Sequence, residues 1–147
     1  MARLSLPLVA DYRWFGSGGG TYYVAFPKYR SPELTFTFDY THNDYVQFMV
    51  ETGLIGTALV GLLVLWTFII ALCTQYVRRD ALSRGVAFGV TMGIISLMIH
   101  SWVDFNLQIP ANALTFVTLL ALGWVAWSVE RRGKGGQEVV PGYEDAA

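Results

Sequence analysis

Two histidines and an aspartate are the residues of this sequence best suited to acid–base chemistry. His100 and Asp104 are four residues apart, so they share one face if a helix continues that far. The other histidine, His42, opens the segment HNDYVQFMVETGLIG, where it suits a solvent-accessible acid or base. In such places a single histidine is more often a structural hydrogen-bonding group, and a His–Asp pair can simply join helices. A metal site would need more ligands at closer spacing, so no metal is predicted.

A glycine-rich stretch between basic residues is the second candidate for chemistry. Residues 11–30 read DYRWFGSGGGTYYVAFPKYR. Its glycines allow a turn whose amides form a nest for an anion. The glycines proposed for that nest are Gly18, Gly19 and Gly20, and the cations beside them are Arg13, Lys28 and Arg30. A flexible loop is the alternative.

The same stretch does not fit the known nucleotide-binding motifs. No Gly-Lys-Ser/Thr follows it, and position 21 is threonine where the dinucleotide fingerprint requires glycine. Its aromatic residues offer stacking surfaces for sugar rings or, alternatively, rest at a membrane interface. These aromatic residues are Tyr22, Tyr23, Phe26 and Tyr29.

Three long apolar runs must position these side chains, at residues 53–77, 85–102 and 111–129. Hydrophobic residues make up 54% of the 147 residues and charged residues only 14%, against about a quarter in soluble domains. The first run is uncharged and would form about 36 Å of helix, enough to cross a hydrocarbon core of about 30 Å. The sequence therefore predicts three transmembrane helices.

The segment before the first span has a helical pattern of its own. Thr41 or Asn43 can cap a helix start, and Asp44 favours its first turn. Tyr45, Phe48, Met49 and Thr52 recur at helical spacing and give a mostly apolar stripe. The predicted fold is an all-α membrane protein with three transmembrane helices, preceded by an extracytoplasmic loop that contains a short interfacial helix.

The distribution of basic residues predicts the orientation of the spans. Arg78, Arg79 and Arg84 lie between the first two, three basic residues follow the third, and the link 103–110 has none. Because positive residues remain on the cytoplasmic side, that first link and the disordered tail 130–147 are predicted to be cytoplasmic. Residues 1–52 and 103–110 are then outside, together with both histidines and Asp104. A polar outer segment with no signal sequence suggests the C-terminal part of a longer multi-span protein.

Three segments of the chain resemble those of one family of membrane enzymes. They are GSGGGTYY at 16–23, HNDYVQFMVETGLIG at 42–56 and HSWVDFNLQIPANA at 100–113. Their order and spacing resemble the O-antigen ligase and O-antigen polymerase family, which transfers glycans from a polyprenyl-diphosphate carrier. The second and third segments together are specific, whereas the first alone would be weak.

The resemblance assigns roles to particular residues. The family's essential periplasmic His-Asn motif corresponds to His42 and Asn43, which makes His42 the expected catalytic residue and Asn43 an expected substrate-binding residue. The family holds the carrier diphosphate with outer-loop arginines, one of which usually lies further upstream of the glycines than Arg3. Arg13, Lys28 and Arg30 are chosen here on charge, with Gly18, Gly19 and Gly20 as backbone partners. His100 and Asp104 are expected to support the site.

The resemblance also implies partners and a location. The donor would be a polyprenyl-diphosphate-linked glycan, and the acceptor a lipid, a polysaccharide or a protein. No metal, nucleotide or other cofactor is expected, and the net charge of −1 does not point to nucleic acid. The expected place is the bacterial inner membrane, with the N-terminal segment periplasmic and the C-terminus cytoplasmic.

Two other classes of protein remain as alternatives. A transporter or flippase component would place its polar groups at mid-membrane, whereas here they are clustered at one edge. A non-catalytic membrane scaffold explains the spans but gives no reason for a glycine-rich outer loop beside His42.

Overall fold

Helices form all the regular structure in the parts of the chain that the computed structural model describes, residues 2–29 and 40–129. The short helices are α1 (Leu6–Asp11) and α2 (Tyr22–Ala25), and the long ones are α3 (Asp44–Val77), α4 (Ala81–His100) and α5 (Pro110–Ser128). Three 3₁₀ turns complete them, at Ala2–Ser5, Phe26–Lys28 and Asn106–Gln108. The all-α class is confirmed. Arg30 and the tail 130–147 lie outside the described residues.

The three long helices are long and apolar enough to cross a membrane, which confirms the predicted spans. By rise per residue, α4 is about 30 Å long and α5 about 28 Å. The helix α4 starts four residues before the second apolar run, 85–102, because Asp80 caps it. The Asp80 carboxylate accepts the Ser83 amide at 2.9 Å. The helix α5 starts at Pro110. Proline lacks an amide hydrogen, but an amide in the first turn of a helix has no helical partner, so its absence there costs nothing.

The three spans pack against one another as an up-down-up bundle. Ala71, Val90, Ile94 and Phe116 form its buried apolar core. Polar contacts across helices add to it: the Trp124 indole donates to the Thr67 hydroxyl at 3.1 Å, and the Gln75 amide donates to the Thr91 hydroxyl at 2.8 Å. Interhelical hydrogen bonds of this kind help hold spanning helices together where lipid offers no hydrophobic drive. Large apolar side chains on the outward faces remain exposed, as they would be against lipid.

Residues 2–29 fold onto the first part of α3, here called its outer segment (residues 44–52). Leu8, Tyr22, Phe26 and Val50 form a second small core, and the Ser5 and Tyr22 hydroxyls are hydrogen-bonded at 2.9 Å. Because Tyr22 and Phe26 are buried in this core, they are not free to stack on sugar rings. Tyr23 stays exposed.

The outer segment and the membrane part of α3 are separated by a break at Gly53. This residue has φ 66° and ψ −174°, which is not helical. In an unbroken helix, the Val50 carbonyl would accept the Leu54 amide and the Glu51 carbonyl would accept the Ile55 amide. The break therefore leaves two carbonyls and two amides without their helical partners.

The glycine-rich loop supplies a partner for each of these four groups. Val50 and Glu51 carbonyls accept the amides of Ser17 and Gly18 at 2.8 and 3.0 Å. The amides of Leu54 and Ile55 donate to the carbonyls of Arg13 and Trp14 at 2.7 and 3.3 Å. Residues 13–18 are thus inserted into the helix break. The segments 16–23 and 42–56, which carry the family resemblance, are therefore hydrogen-bonded directly to one another.

Two glycines make this close approach of backbones possible. Gly16 has φ 73°, and a Cβ atom there would overlap the backbone of Glu51 and Thr52. A Cβ atom at Gly53 would overlap the backbone of Trp14 and Gly16. Only glycine fits both the space and the positive φ at these positions. The loop is therefore a structural joint, a role that neither the flexible-loop reading nor the anion-nest reading predicted.

Candidate functional site

The start of α3 is fixed by side chains of the His-Asn motif and its neighbours. Asn43 is the N-cap, its Oδ1 accepting the Val46 amide at 3.1 Å. Thr41 was the other candidate cap, but its hydroxyl donates to the Asn43 carbonyl at 2.6 Å instead. The Thr41 amide donates to Oε1 of the buried Gln47 at 3.0 Å. These bonds fix the backbone on both sides of His42.

The same helix start is bound to the connection between α4 and α5. The Asn43 side-chain amide donates to the Trp102 carbonyl at 2.8 Å, and the Asp44 amide donates to the Ser101 carbonyl at 2.9 Å. The buried Asp44 carboxylate accepts the Leu107 amide at 2.9 Å. The Tyr45 hydroxyl adds a bond to the Met98 carbonyl at 2.9 Å. Four contacts therefore join parts of the chain that are about 60 residues apart in sequence.

These contacts bring His42, His100 and Asp104 into one cluster. The Asp104 carboxylate lies between the two imidazoles, with Oδ1 3.7 Å from Nδ1 of His42 and Oδ2 3.7 Å from Nε2 of His100. Both distances are those of ion pairs and are too long for hydrogen bonds. Side chains of the two histidines are 55% exposed and that of Asp104 is 45% exposed, so a solute can reach all three.

His42 itself has an unusual backbone conformation. Its φ of 55° makes it the sole non-glycine residue with positive φ in the described ranges. Such a conformation is uncommon outside glycine and costs about 1 kcal/mol or more, so it persists only where neighbouring contacts impose it. The bonds made by Thr41 and Asn43 impose it here, and the ring packs edge-on against Phe105 with centroids 5.0 Å apart.

The cluster is equipped for proton transfer. With Nδ1 of His42 facing a carboxylate, Nε2 of the same ring is left for a second partner. A carboxylate beside an imidazole orients it and stabilises the imidazolium that forms when it accepts a proton. No three His, Cys, Asp or Glu side chains in the described parts are arranged to hold a metal ion.

An apolar cavity of about 410 Å³ lies directly beside this cluster, between α3, α4 and α5. Its polar end is formed by Asp44 and Ser101, the residues that bind the start of α3 to the end of α4. The rest of the lining is nearly all apolar and includes Phe48, Met98 and Phe116. The cavity therefore offers space for hydrocarbon next to a polar, solvent-reachable cluster.

The predicted anion-binding residues that the structure describes, apart from Asn43, are not part of the His42 cluster. Arg13 is near the Gly53 break, with its guanidinium 5.4 Å from the centre of the Trp14 ring. From Asp44 to Gly53 the helix rises about 13 Å, and no hydrogen bond or ion pair between described residues joins Arg13 or Lys28 to the His42 cluster. The Gly18 amide is bonded to Glu51, while Gly19 and Gly20 have open space around their α carbons.

Lys28 ends the 3₁₀ turn Phe26–Lys28 and is exposed. Next to it, the Tyr29 hydroxyl donates to the Asp11 carboxylate at 2.6 Å. That hydrogen bond raises the pKa of Tyr29 to about 12, so the phenol stays neutral at physiological pH. Lys28 is therefore an exposed cation whose neighbour in sequence is a neutral phenol.

Sequence reasoning missed the residues that assemble the site. Asp44 was interpreted only as a favourable first-turn charge, and Ser101, Trp102 and Leu107 were given no role in joining the helices. The contacts that reveal them use backbone groups of the α4–α5 connection, which carry no sequence signal.

Comparison with known protein families gives a match to part of the chain. The family model described as O-antigen ligase matches residues 1–61, which include the glycine-rich segment and the whole of HNDYVQFMVETGLIG. The resemblance is thus confirmed over those residues and supports an O-antigen ligase-like membrane role; the match does not extend to the segment at 100–113. No curated protein and no solved structure shows a significant match to this chain.

Proposed function

With the O-antigen ligase match over residues 1–61 as the premise, we propose that this chain forms part of a metal-independent membrane glycosyltransferase. In this proposal the enzyme takes a glycan from a polyprenyl-diphosphate carrier on the periplasmic face of the bacterial inner membrane. It passes the glycan to a hydroxyl group of a lipid, polysaccharide or protein acceptor. The observation that carries the proposal is the solvent-reachable His42 held against the Asp104 carboxylate at one end of the bundle.

His42 acts as the general base in the proposed mechanism. Its Nε2 accepts the proton of the acceptor hydroxyl as the oxygen attacks the anomeric carbon of the first donor sugar. The bond from that carbon to the diphosphate oxygen breaks, and the diphosphate leaves with the electron pair. Asp104 stabilises the imidazolium that results, because its carboxylate lies 3.7 Å from the other ring nitrogen.

The negative charge of the carrier diphosphate must be stabilised by cations, and the identity of these cations is a separate proposal. Arg13, Lys28 and Arg30 are the basic residues that flank the glycine-rich stretch, and guanidinium geometry matches phosphate oxygens. Arg13 and Lys28 do not contact the His42 cluster in this structure, so a donor would have to extend between them and the base. Asn43 is engaged as a cap and a tether, which makes its proposed part that of fixing His42.

The apolar cavity supports a lipid-linked substrate. A hydrocarbon chain in the cavity of about 410 Å³ would reach the buried Asp44 and Ser101, which are neighbours in sequence of His42 and His100. A soluble sugar nucleotide would have no use for such a cavity. The arrangement thus favours a donor or acceptor carried on lipid over a donor taken from solution.

A transfer assay tests the function directly. Membranes from cells expressing the natural full-length gene product are supplied with a polyprenyl-diphosphate-linked glycan and, in parallel, with lipid, polysaccharide and peptide acceptors. We expect acceptor-dependent release of polyprenyl diphosphate in one of the three arms, without added metal or nucleotide. Unchanged donor in all arms, with the protein present and folded, would favour the non-catalytic scaffold or the transporter component instead.

Asp104→Asn is expected to lower kcat by about tenfold and to leave KM nearly unchanged. Asparagine keeps the oxygen that accepts the Phe105 amide at 2.8 Å but loses the charge between the imidazoles. The imidazolium formed during reaction is then less stabilised, and a tenfold loss corresponds to about 1.4 kcal/mol in the barrier. Steady-state kinetics of the two proteins give the comparison. A raised KM with unchanged kcat would assign Asp104 to substrate binding instead.

The side of the membrane that holds His42 is tested by cysteine labelling. Cys73 is replaced by Ser, and a single cysteine is placed at Gly19, which has open space, or at Arg84 in the first turn of α4. A membrane-impermeant maleimide added to intact spheroplasts should label position 19, and position 84 only after lysis, because arginine-rich links remain cytoplasmic. The reverse pattern would remove the periplasmic mechanism.

A further inference from the structure

A second pocket lies at the end of the bundle opposite His42. It has a volume of about 430 Å³ and is lined by Val77, Arg78, Arg79, Asp80 and Trp127. These residues come from the end of α3, the link to α4 and the last turn of α5. Two guanidinium groups and an indole therefore surround a cavity at the ends of membrane-spanning helices, and nothing in the proposed reaction uses it.

The pocket is built by contacts between its own lining residues and the helices. The Arg78 guanidinium donates to the Trp127 carbonyl and so joins the end of α3 to the end of α5. The Asp80 carboxylate accepts the Ser83 amide and caps α4. The Arg79 side chain is exposed, and it forms no ion pair with any residue of the described ranges. Arg78 thus stabilises the wall of the pocket, whereas the guanidinium of Arg79 is available to bind a ligand.

We propose that this pocket, the Arg78–Arg79 pocket, binds the phosphodiester headgroup of an anionic phospholipid such as phosphatidylglycerol. The planar donors of arginine match phosphate oxygens, and basic pockets between spanning helices on the cytoplasmic side bind anionic headgroups. Two arginines and one aspartate give the lining a net charge of +1, the complement of one phosphodiester. Trp127 lies where tryptophan rings meet the headgroup layer.

The surroundings favour a lipid over a free anion. Tyr76 and Val77 are exposed beside the pocket, and Trp124 is exposed one turn before Trp127 on α5. Acyl chains can run along these apolar faces while the phosphate meets the arginines. A zwitterionic phosphatidylcholine carries its own cation next to the phosphate, so it should bind more weakly than phosphatidylglycerol.

Lipid titration of the purified full chain tests the pocket. Phosphatidylglycerol is added to the chain in a neutral detergent, and the bound fraction is measured by native mass spectrometry against phosphatidylcholine. Arg79→Gln is expected to weaken phosphatidylglycerol binding by about fivefold, the effect of one arginine near an anionic surface. Arg84→Gln is the matched control: it removes the same charge from the same end of the bundle, outside the pocket, and should change binding by less than about twofold.

Three results would overturn the proposal. Equal weakening by Arg79→Gln and Arg84→Gln would mean diffuse attraction to a basic surface. Equal binding of phosphatidylglycerol and phosphatidylcholine would remove the anionic preference. Displacement of the lipid by millimolar inorganic phosphate would identify a free-anion site. Melting temperatures of both variants within a few degrees of the parent chain show that the comparison is made on folded protein, and none of these readouts depends on glycosyltransferase activity.

Discussion

Replacing His42 by alanine is expected to lower glycan transfer by about 100-fold or more. General-base catalysis by a positioned side chain contributes about 10²–10⁴-fold, and alanine removes the whole of it. The loss should fall on kcat, because the imidazole is proposed to act in the transition state rather than in substrate binding. The measurement is acceptor-dependent release of polyprenyl diphosphate by membranes that contain equal amounts of each protein.

Alanine at position 42 also strains the backbone at its positive φ, so a second variant is needed to separate this effect from the loss of the imidazole. The φ of 55° is tolerated by asparagine better than by alanine, and asparagine does not accept a proton at neutral pH. His42→Asn should therefore keep the helix start intact and lose as much transfer as His42→Ala. His100→Ala, which removes the other imidazole beside Asp104, should cost less than about tenfold. Normal transfer by His42→Asn would contradict the role of general base.

The membrane fold was predictable because long uncharged runs have few other uses. Helix ends were less so: the apolar run begins at residue 85, directly after Arg84, whereas α4 starts at Ala81. A helix continues past a charged residue when a cap such as Asp80 is available, so charge alone does not end it. The break at Gly53 gave no local signal, because its cause is a loop some 37 residues earlier in the chain.

The candidate site was predictable only in its local half. The i,i+4 spacing indicated that His100 and Asp104 lie together, and they do, although α4 ends at His100 and a turn carries Asp104. That His42 touches the same carboxylate depends on backbone acceptors at Ser101 and Trp102, and backbone groups are present at every position. Sequence patterns therefore find the candidate acid–base side chains but not the contacts that assemble them.

Replacing Gly53 or Gly16 by alanine is expected to have the largest effect on the fold. Each methyl group would overlap backbone atoms of the partner segment, and backbone cannot rotate away as a side chain can. Alanine is also strained at a positive φ. We therefore expect a loss of about 4 kcal/mol or more in the free energy of unfolding. Because the joint holds residues 2–29 on α3, the variants should show a lowered melting temperature and early proteolysis of the N-terminal part.

Two other glycines of the same loop separate the causes of that loss. Gly20 has φ 68° and open space, so Gly20→Ala should cost only about 1–2 kcal/mol, the conformational term alone. Gly19 has open space and no positive φ, and Gly19→Ala should stay within about 0.5 kcal/mol of the parent. If all four variants melted at the temperature of the parent chain, the loop would be dispensable and the close backbone approach would not support the site. The predicted gradient would instead support the joint as a condition for the proposed transfer, because the outer segment that it fixes begins directly after Asn43, the cap that places His42.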